Sequence, residues 1–491
     1  MFMSIASRLS SLLIQKDVLG ELLKKAVSPS QDTRSSEFFR WAREQADIIL
    51  EASDYDIGKL DALDRALSSR SRRAQTLAQH LIVKLALSKA CMMSVQIPLR
   101  IAVVVPTFRE MTRIRPRGEK TAPDKVWNTP EGHEPHPNGE DFVYEKAAQI
   151  DWLKKANPLN KFVTIYMDDG CNQQSALLVR QVLEANNRQA DTESVYELDE
   201  IIRNSYKDPL SLASRSVSNL NSATDSKKSG SVYAGMALAI EDHDADIIVY
   251  TDADLSYDLG MVGSLVYPII TGSSVSVVAN RRHERSFTED VSSDSHDPSK
   301  RRMKALIGSL RAYLFEGILP RDTQAGFKAF RSDIVRQLIE LDDKNPSLAF
   351  DVQLLARVHK LTGSTPMTMP IVCIDSPEET TADQAETYRN MVKTYIDVLD
   401  ELELPLNDDQ KTARFILEAI AGKGMDHPQM MWNRLSALMR DDHQDDPTIF
   451  KAASRIRRHF FTESNNTASS LPITTSTLED LKSIVTKLTQ E

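Results

Sequence analysis

Four short, mostly apolar runs constrain this chain more than any other feature: Arg100-Ile-Ala-Val-Val-Val-Pro106, Lys161-Phe-Val-Thr-Ile-Tyr-Met167, Asp246-Ile-Ile-Val-Tyr250 and Val275-Ser-Val-Val-Ala279. None shows the strict polar–apolar alternation of a strand with one wet face. Runs of this kind suit strands buried on both faces, as in a parallel sheet covered by helices. Helical periods lie between them, for example over 175–185 and 231–240. The alternation predicts an α/β fold around a mainly parallel sheet.

Both flanks read as helical. Phe38, Trp41, Ala42, Ile48 and Ile49, and then Leu77, Leu81 and Leu85, recur at three- and four-residue steps that belong to packing. The helical period returns over 383–402, 410–421, 430–439 and 449–460, and a Ser/Thr/Asn-rich linker at 462–476 precedes an amphipathic segment at 478–488. At 491 residues the chain exceeds one ordinary core. We therefore expect a helical N-terminal extension (1–97), a central domain (98–380) and a helical C-terminal extension (381–491). Three segments, 112–140, 205–230 and 282–300, are rich in Pro, Gly, Ser or charge and read as long loops of the kind that form lids.

The third apolar run leads into Thr251-Asp-Ala-Asp254. Asp252 and Asp254, one residue apart, can project to the same side at the carboxyl end of a buried strand, the crevice position of an open α/β sheet. Two hard oxygen ligands there suit Mg²⁺ or Mn²⁺ held against a diphosphate. Taken alone, the pair is equally a solvated turn. Upstream, Lys227-Lys-Ser-Gly-Ser-Val-Tyr-Ala-Gly235 is a small-residue turn opening a helix, where amides and lysines can meet a phosphate or sugar; the competing reading is an ordinary helix start.

The formal charge of −10 argues against broad binding to nucleic acid or anionic lipid. Cys91, Cys171 and Cys373 are far apart and odd in number, which does not suit a disulfide framework and points to a reducing, cytoplasmic setting. No apolar stretch reaches the roughly 18 residues of a membrane span; the best, 81–93, is cut by Lys84 and Lys89. The expectation is no transmembrane segment, with peripheral membrane contact and homo-oligomerisation left open.

Six motifs, taken in order, resemble the family 2 glycosyltransferases, most closely the dolichyl-phosphate mannosyl- and glucosyltransferase branch. They are Val103-Val-Val-Pro-Thr-Phe-Arg-Glu110, Tyr166-Met-Asp-Asp-Gly170, Lys228-Ser-Gly-Ser-Val-Tyr-Ala-Gly235, Tyr250-Thr-Asp-Ala-Asp-Leu-Ser256, Arg321-Asp-Thr-Gln-Ala-Gly-Phe-Lys-Ala-Phe330 and Ala349-Phe-Asp-Val-Gln-Leu-Leu355, covering about 100–375. The resemblance implies a GT-A (Rossmann-like) nucleotide-diphospho-sugar fold that moves a hexose from a UDP- or GDP-sugar, with inversion, to a polyprenyl phosphate or a small soluble acceptor. It implies nucleotide-sugar contacts at Pro106, Thr107, Glu110, Asp168, Asp169, Lys228, Gly230, Asp252 and Arg281, and metal ligation by Asp252 and Asp254. It places catalytic roles at Asp351, a general base for a hydroxyl acceptor, and at Asp322, with Gln324 and Gly326 on the acceptor side. Asp351 equally suits a helix N-terminal carboxylate. His283, His359 and His427 are candidate third metal ligands or ordinary surface and core histidines.

The sequence departs from the family pattern in the 112–140 insertion and in Cys171-Asn-Gln-Gln174, which replaces an acidic continuation. Alternatives are a binding scaffold without catalysis, a retaining transferase acting on a glycerate-like acid, and a nucleotidyltransferase. The last is disfavoured because 106–111 is not a Gly-rich phosphate loop.

Overall fold

In the computed structural model the described residues are 32–69, 76–118, 134–171, 174–188, 192–289, 298–341, 349–374, 385–423, 428–440 and 473–490, with single positions at 20, 21, 23, 26, 28 and 456. The helix expected over 449–460 (save position 456), most of the 462–476 linker, the middle of 112–140, much of the later part of 282–300, Asn172, Gln173 and His427 lie outside them. The chain divides into two compact units. One comprises 1–291, 325–344 and 366–376; the other comprises 292–324, 345–365 and 377–491.

The strands, in chain order, are β1 (Arg100–Thr107), β2 (Lys161–Asp168), β3 (Glu193–Glu197), β4 (Ile247–Thr251), β5 (Ser276–Asn280), β6 (Phe287–Glu289), β7 (Phe327–Arg331), β8 (Met367–Pro370) and β9 (Val372–Ile374). The helices are α1 (Ser36–Ala52), α2 (Ile57–Ser68), α3 (Leu77–Met93), α4 (Met111–Ile114), α5 (Phe142–Lys154), α6 (Ser175–Ala185), α7 (Leu198–Asn204), α8 (Leu212–Ser216), α9 (Ser229–Glu241), α10 (Val262–Ile270), α11 (Pro298–Leu314), α12 (Ser332–Glu340), α13 (Phe350–Thr362), α14 (Ala385–Leu402), α15 (Asp408–Ala421), α16 (Pro428–Arg440) and α17 (Thr475–Gln490).

All strands belong to the first unit. Seven form a mixed, mainly parallel sheet in the order β3-β2-β1-β4-β7-β5-β8, and β6 pairs with β9. The four apolar runs are β1, β2, β4 and β5, each within a residue or so of its expected ends. Within the sheet, β7 alone runs against its neighbours, β4 and β5. It comes from the fifth motif, whose short Phe-Lys-Ala-Phe stretch carries too little pattern to be read as a strand.

Side chains on β1 alternate between two layers. Ile101, Val103 and Val105 share a core with Phe38 and Phe39 of α1 and with Leu81 and Leu85 of α3. Across the sheet, Met167 packs with Leu198, Leu220, Ala234 and Leu238. The N-terminal helices therefore cover one face of the sheet and share its core. α3 is buried around most of its circumference, as suits a central helix. The two lysines that interrupt it are paired, Lys84 to Asp64 and Lys89 to Asp47, each at 2.7 Å. Ile48, assigned to packing from its spacing, is exposed, because the buried stripe of α1 runs through Phe38, Ala42, Ala46 and Ile49.

The 205–230 segment is not a structureless loop. Ser211 caps α8, the Glu241 carboxylate accepts the Leu212 and Ala213 amides at 2.5 and 3.1 Å, and a 3-10 turn spans Ala223–Asp225. The second unit contains α11 and α13–α17. Asn407 and Gln410 form a capping box on α15, Arg357 pairs with Glu401 at 2.8 Å, and Tyr388 stacks on Trp432 at 5.6 Å. Among the described residues no helix is long and apolar enough to cross a membrane.

Candidate functional site

After β1 the chain crosses to β2 and β3 on one side, and then returns to β4 on the other. This makes a topological switch at β1, where ligands bind outside the carboxyl ends of the strands. Thr107 closes β1, Asp168 closes β2, and Asp252 follows β4 directly. Pro106 and Thr107 are buried; the Thr107 carbonyl accepts the Asp169 amide at 2.9 Å, which locks the first two strand ends together.

Asp168 and Asp169 are both buried but differently engaged. One Asp168 oxygen accepts the Cys171 amide at 3.0 Å; the other, Oδ1, is buried without a hydrogen-bond partner among the described residues. Both Asp169 oxygens are taken up by the 226–228 turn, through the Ser226 hydroxyl and through the Lys228 amide at 2.8 Å. This clamp holds Lys227 and Lys228 at φ 46° and 80°, a left-handed stretch that costs non-glycine residues energy and persists only where surroundings enforce it. The result is specific: the Lys228 ammonium reaches across and pairs with Asp252. Gly230 is buried beneath the same turn, where a Cβ would overlap Leu220 and crowd Ser226. Its role in the fold is close packing of α9 against the turn.

Asp252 keeps 31% of its side chain exposed. Its amide donates to the Gly326 carbonyl at 3.0 Å, and a Cβ on Gly326 would fall on the Asp252 carboxylate. The antiparallel return of β7 thus brings Gly326 against the strand-end acid. Asp254 is half-buried and accepts the Ser256 amide at 3.1 Å. Burial alone would raise its pKa, but the charges of Arg113, Arg34 and Lys146, with the Ser256 amide, hold it below the ordinary carboxylate value.

Beside this pair lies a buried ionic network. Arg113 contacts both oxygens of Glu110, at 2.9 and 3.2 Å, and Arg34 pairs with Glu140 at 2.6 Å. Glu140 in turn accepts the Leu255 amide at 3.0 Å, tying the loop after Asp254 to the start of α5. Burial raises Glu110 to about 7, with Asp254 and Glu140 adding to the rise against the pull of Arg113. Burial likewise raises Asp168 and Asp169 to about 6. Arg34, Glu140 and Lys146 carried no sequence signal as site residues because the groups they meet stand far away along the chain; Arg113 pairs locally with Glu110, but its effect on Asp254 is equally long-range.

The Glu110 shift sets a pH dependence. The unfolded chain releases this proton near 4.5 and the folded chain near 7, so across that window the native state binds more protons and loses stability as pH rises. Glu110→Gln removes that loss. The difference in melting temperature, variant minus wild type, is expected to increase between about pH 5 and about pH 8; a pH-independent difference in melts would refute the buried, late-titrating carboxyl.

Asp252 and Asp254 suit a hard divalent cation in donor chemistry: both are carboxylates, Asp252 is reachable, and Asp254 is held in its anionic form. Among the described residues no group of three His, Cys, Asp or Glu side chains is gathered as a ready metal set. His283 lies in the turn after β5, with Nδ1 accepting the Arg285 amide at 3.0 Å; burial and the nearby Arg285 and Lys84 keep its pKa low. Arg281 lies in the same half-exposed turn, at the carboxyl end of the sheet.

Asp322, Gln324 and Asp351 belong to the second unit. Asp322 is buried in a turn that Arg311 holds through Thr323 and the Arg321 carbonyl, and the Gln324 amide nitrogen is buried without a hydrogen-bond partner among the described residues. Asp351 is buried in the first turn of α13, and His359 sits in its last turn. No protein-family model matches the chain, and no curated protein matches it.

Proposed function

We propose that this chain is a metal-dependent glycosyltransferase of GT-A type, resembling family 2, that moves a hexose from a UDP- or GDP-sugar to a polyprenyl phosphate or small soluble acceptor with inversion. One observation carries the reading: the acids and the lysine singled out by the motifs meet at the carboxyl ends of β1, β2 and β4, where Asp169 sets Lys228 and Lys228 meets Asp252. Separate motifs without a common purpose would have no reason to interlock at a topological switch.

In this reading the orphaned Oδ1 of Asp168 accepts a hydrogen bond from a base N–H or ribose hydroxyl of the donor. Pro106, Thr107 and Glu110 form the floor of that nucleoside region. Asp252 and Asp254 would hold Mg²⁺ or Mn²⁺, which supplies positive charge to the leaving diphosphate. Lys228, paired with Asp252, is the protein's own cation at that place and would add its charge to that of a bound metal opposite the diphosphate. Transfer forms a bond from acceptor oxygen to the anomeric carbon and breaks the bond to the diphosphate oxygen, so stabilising the departing negative charge is the main task. The general-base role of Asp351 and the catalytic role of Asp322 rest on the resemblance. A phosphate acceptor, already ionised, needs no base. The odd, scattered cysteines favour a cytoplasmic setting.

A thermal-shift series with UDP-, GDP- and ADP-sugars, each with and without Mn²⁺ or Mg²⁺, tests the proposal, because a ligand that binds only the native state raises apparent stability by mass action. The expected result is a metal-dependent rise with a UDP- or GDP-sugar. No rise with any of them would overturn it.

A further inference from the structure

Lys146, in the second turn of α5, has no exposed surface, and its ammonium finds no hydrogen-bond acceptor among the described residues. An ammonium taken out of water without a partner is costly, so its surroundings must repay the burial. Those surroundings are the loop after β4. Glu140, just before α5, holds the Leu255 amide at 3.0 Å, and Gln149, one turn beyond Lys146, holds the Leu259 amide at 2.8 Å. Lys146 lies between these two anchors, on the helix segment that the 255–259 loop spans. Asp258, in that loop, has one oxygen on the Gly260 amide at 2.7 Å, while the other is buried without a hydrogen-bond partner among the described residues.

We infer that Lys146 is a buried counter-cation of the 252–258 carboxylate loop, beside Arg113 and Arg34 at Asp254 and Arg43 at 3.9 Å from Asp258, and a positioning residue that limits how strongly Asp252 and Asp254 hold a divalent cation. Burial pulls the Lys146 pKa down, and Asp254, Asp252, Glu140 and Asp258, in that order, oppose the pull. The ammonium touches none of them through a hydrogen bond, so it acts on the loop as a diffuse positive field. A fixed positive charge behind two metal ligands weakens metal binding; its removal strengthens it. This inference rests on the proposed metal-dependent reading.

The test is Mn²⁺ titration in the presence of UDP or GDP, with K146M, K146Q and K146R beside the wild type, and thermal melts of K146M, D254N and the double variant. K146M and K146Q are expected to bind Mn²⁺ about tenfold more tightly, and K146R to match the wild type. A purely structural lysine predicts equal or weaker binding in the neutral variants, and affinities within about twofold of wild type would overturn the inference. Absence of Mn²⁺ binding in the wild type would instead fail the metal-dependent reading, and the melts then decide. The double variant is expected to lose less stability than the two single losses combined, because opposite charges leave together. If K146M alone is too unstable to purify, recovery of folded protein on adding D254N reads the same way. Additive losses, or no recovery, would overturn the inference.

Discussion

Asp254→Asn is expected to abolish the metal-dependent thermal shift with a nucleotide-sugar and to lower transfer by about a hundredfold to a thousandfold. The amide is nearly isosteric and its oxygen can still accept the Ser256 amide, so the loop after β4 keeps its local hydrogen bond. What disappears is the negative charge, which Arg113, Arg34 and Lys146 hold in place against the cost of burial. The same change lowers stability at neutral pH. A carboxyl whose folded pKa lies below its unfolded value of 3.8 contributes stability above that value and loses it as pH falls through the folded pKa. The gap between the melting temperatures of wild type and variant should therefore be widest near neutrality and close in strong acid. Undiminished turnover of Asp254→Asn with added Mn²⁺ would sink the metal assignment, and a melting difference that widens in acid would contradict the charge environment.

Gly326→Ala is expected to cost about 1–3 kcal/mol of stability, as overpacking does, and to remove metal-dependent donor binding together with it. The added methyl falls on the Asp252 carboxylate, while the hydrogen bond from the Asp252 amide to the Gly326 carbonyl prevents the two backbones from separating freely. Asp252 must then swing away, and its contact with Lys228 is lost with it. The collision is with a side chain, so it has a remedy: Asp252→Ala in the Gly326→Ala background should recover stability without recovering binding. Melts of the two single variants and the double variant, with and without Mn²⁺ and UDP- or GDP-sugar, measure both effects. A Gly326→Ala protein that melts and binds like the wild type would show that the Asp252 carboxylate does not need that space.

The strand ends were legible because burial on both faces leaves an unbroken apolar run, and an acid that stops such a run stands at the end of the buried strand. Asp168 and Asp252 are found in that place. The helical periods at 175–185, 410–421 and 478–488 were legible for the same local reason, since each buries one stripe. The Lys227–Lys228 turn was recognised as a helix start, but its left-handed backbone was not, because nothing in a lysine announces φ > 0. Its cause lies 59 residues away, in the Asp169 carboxylate.

The sequence by itself determined the α/β pattern, the four buried runs and the carboxylates that end or follow them, because burial periodicity is a local property of the chain. Only the tertiary structure decided that β7 runs backwards to set Gly326 against Asp252, that Lys228 reaches Asp252, that the N-terminal helices share the core of the sheet, and that Lys146 lies buried under the acid loop. Each of these joins residues far apart in the chain, and a residue's own neighbours carry no record of which distant charge or backbone will compensate its burial.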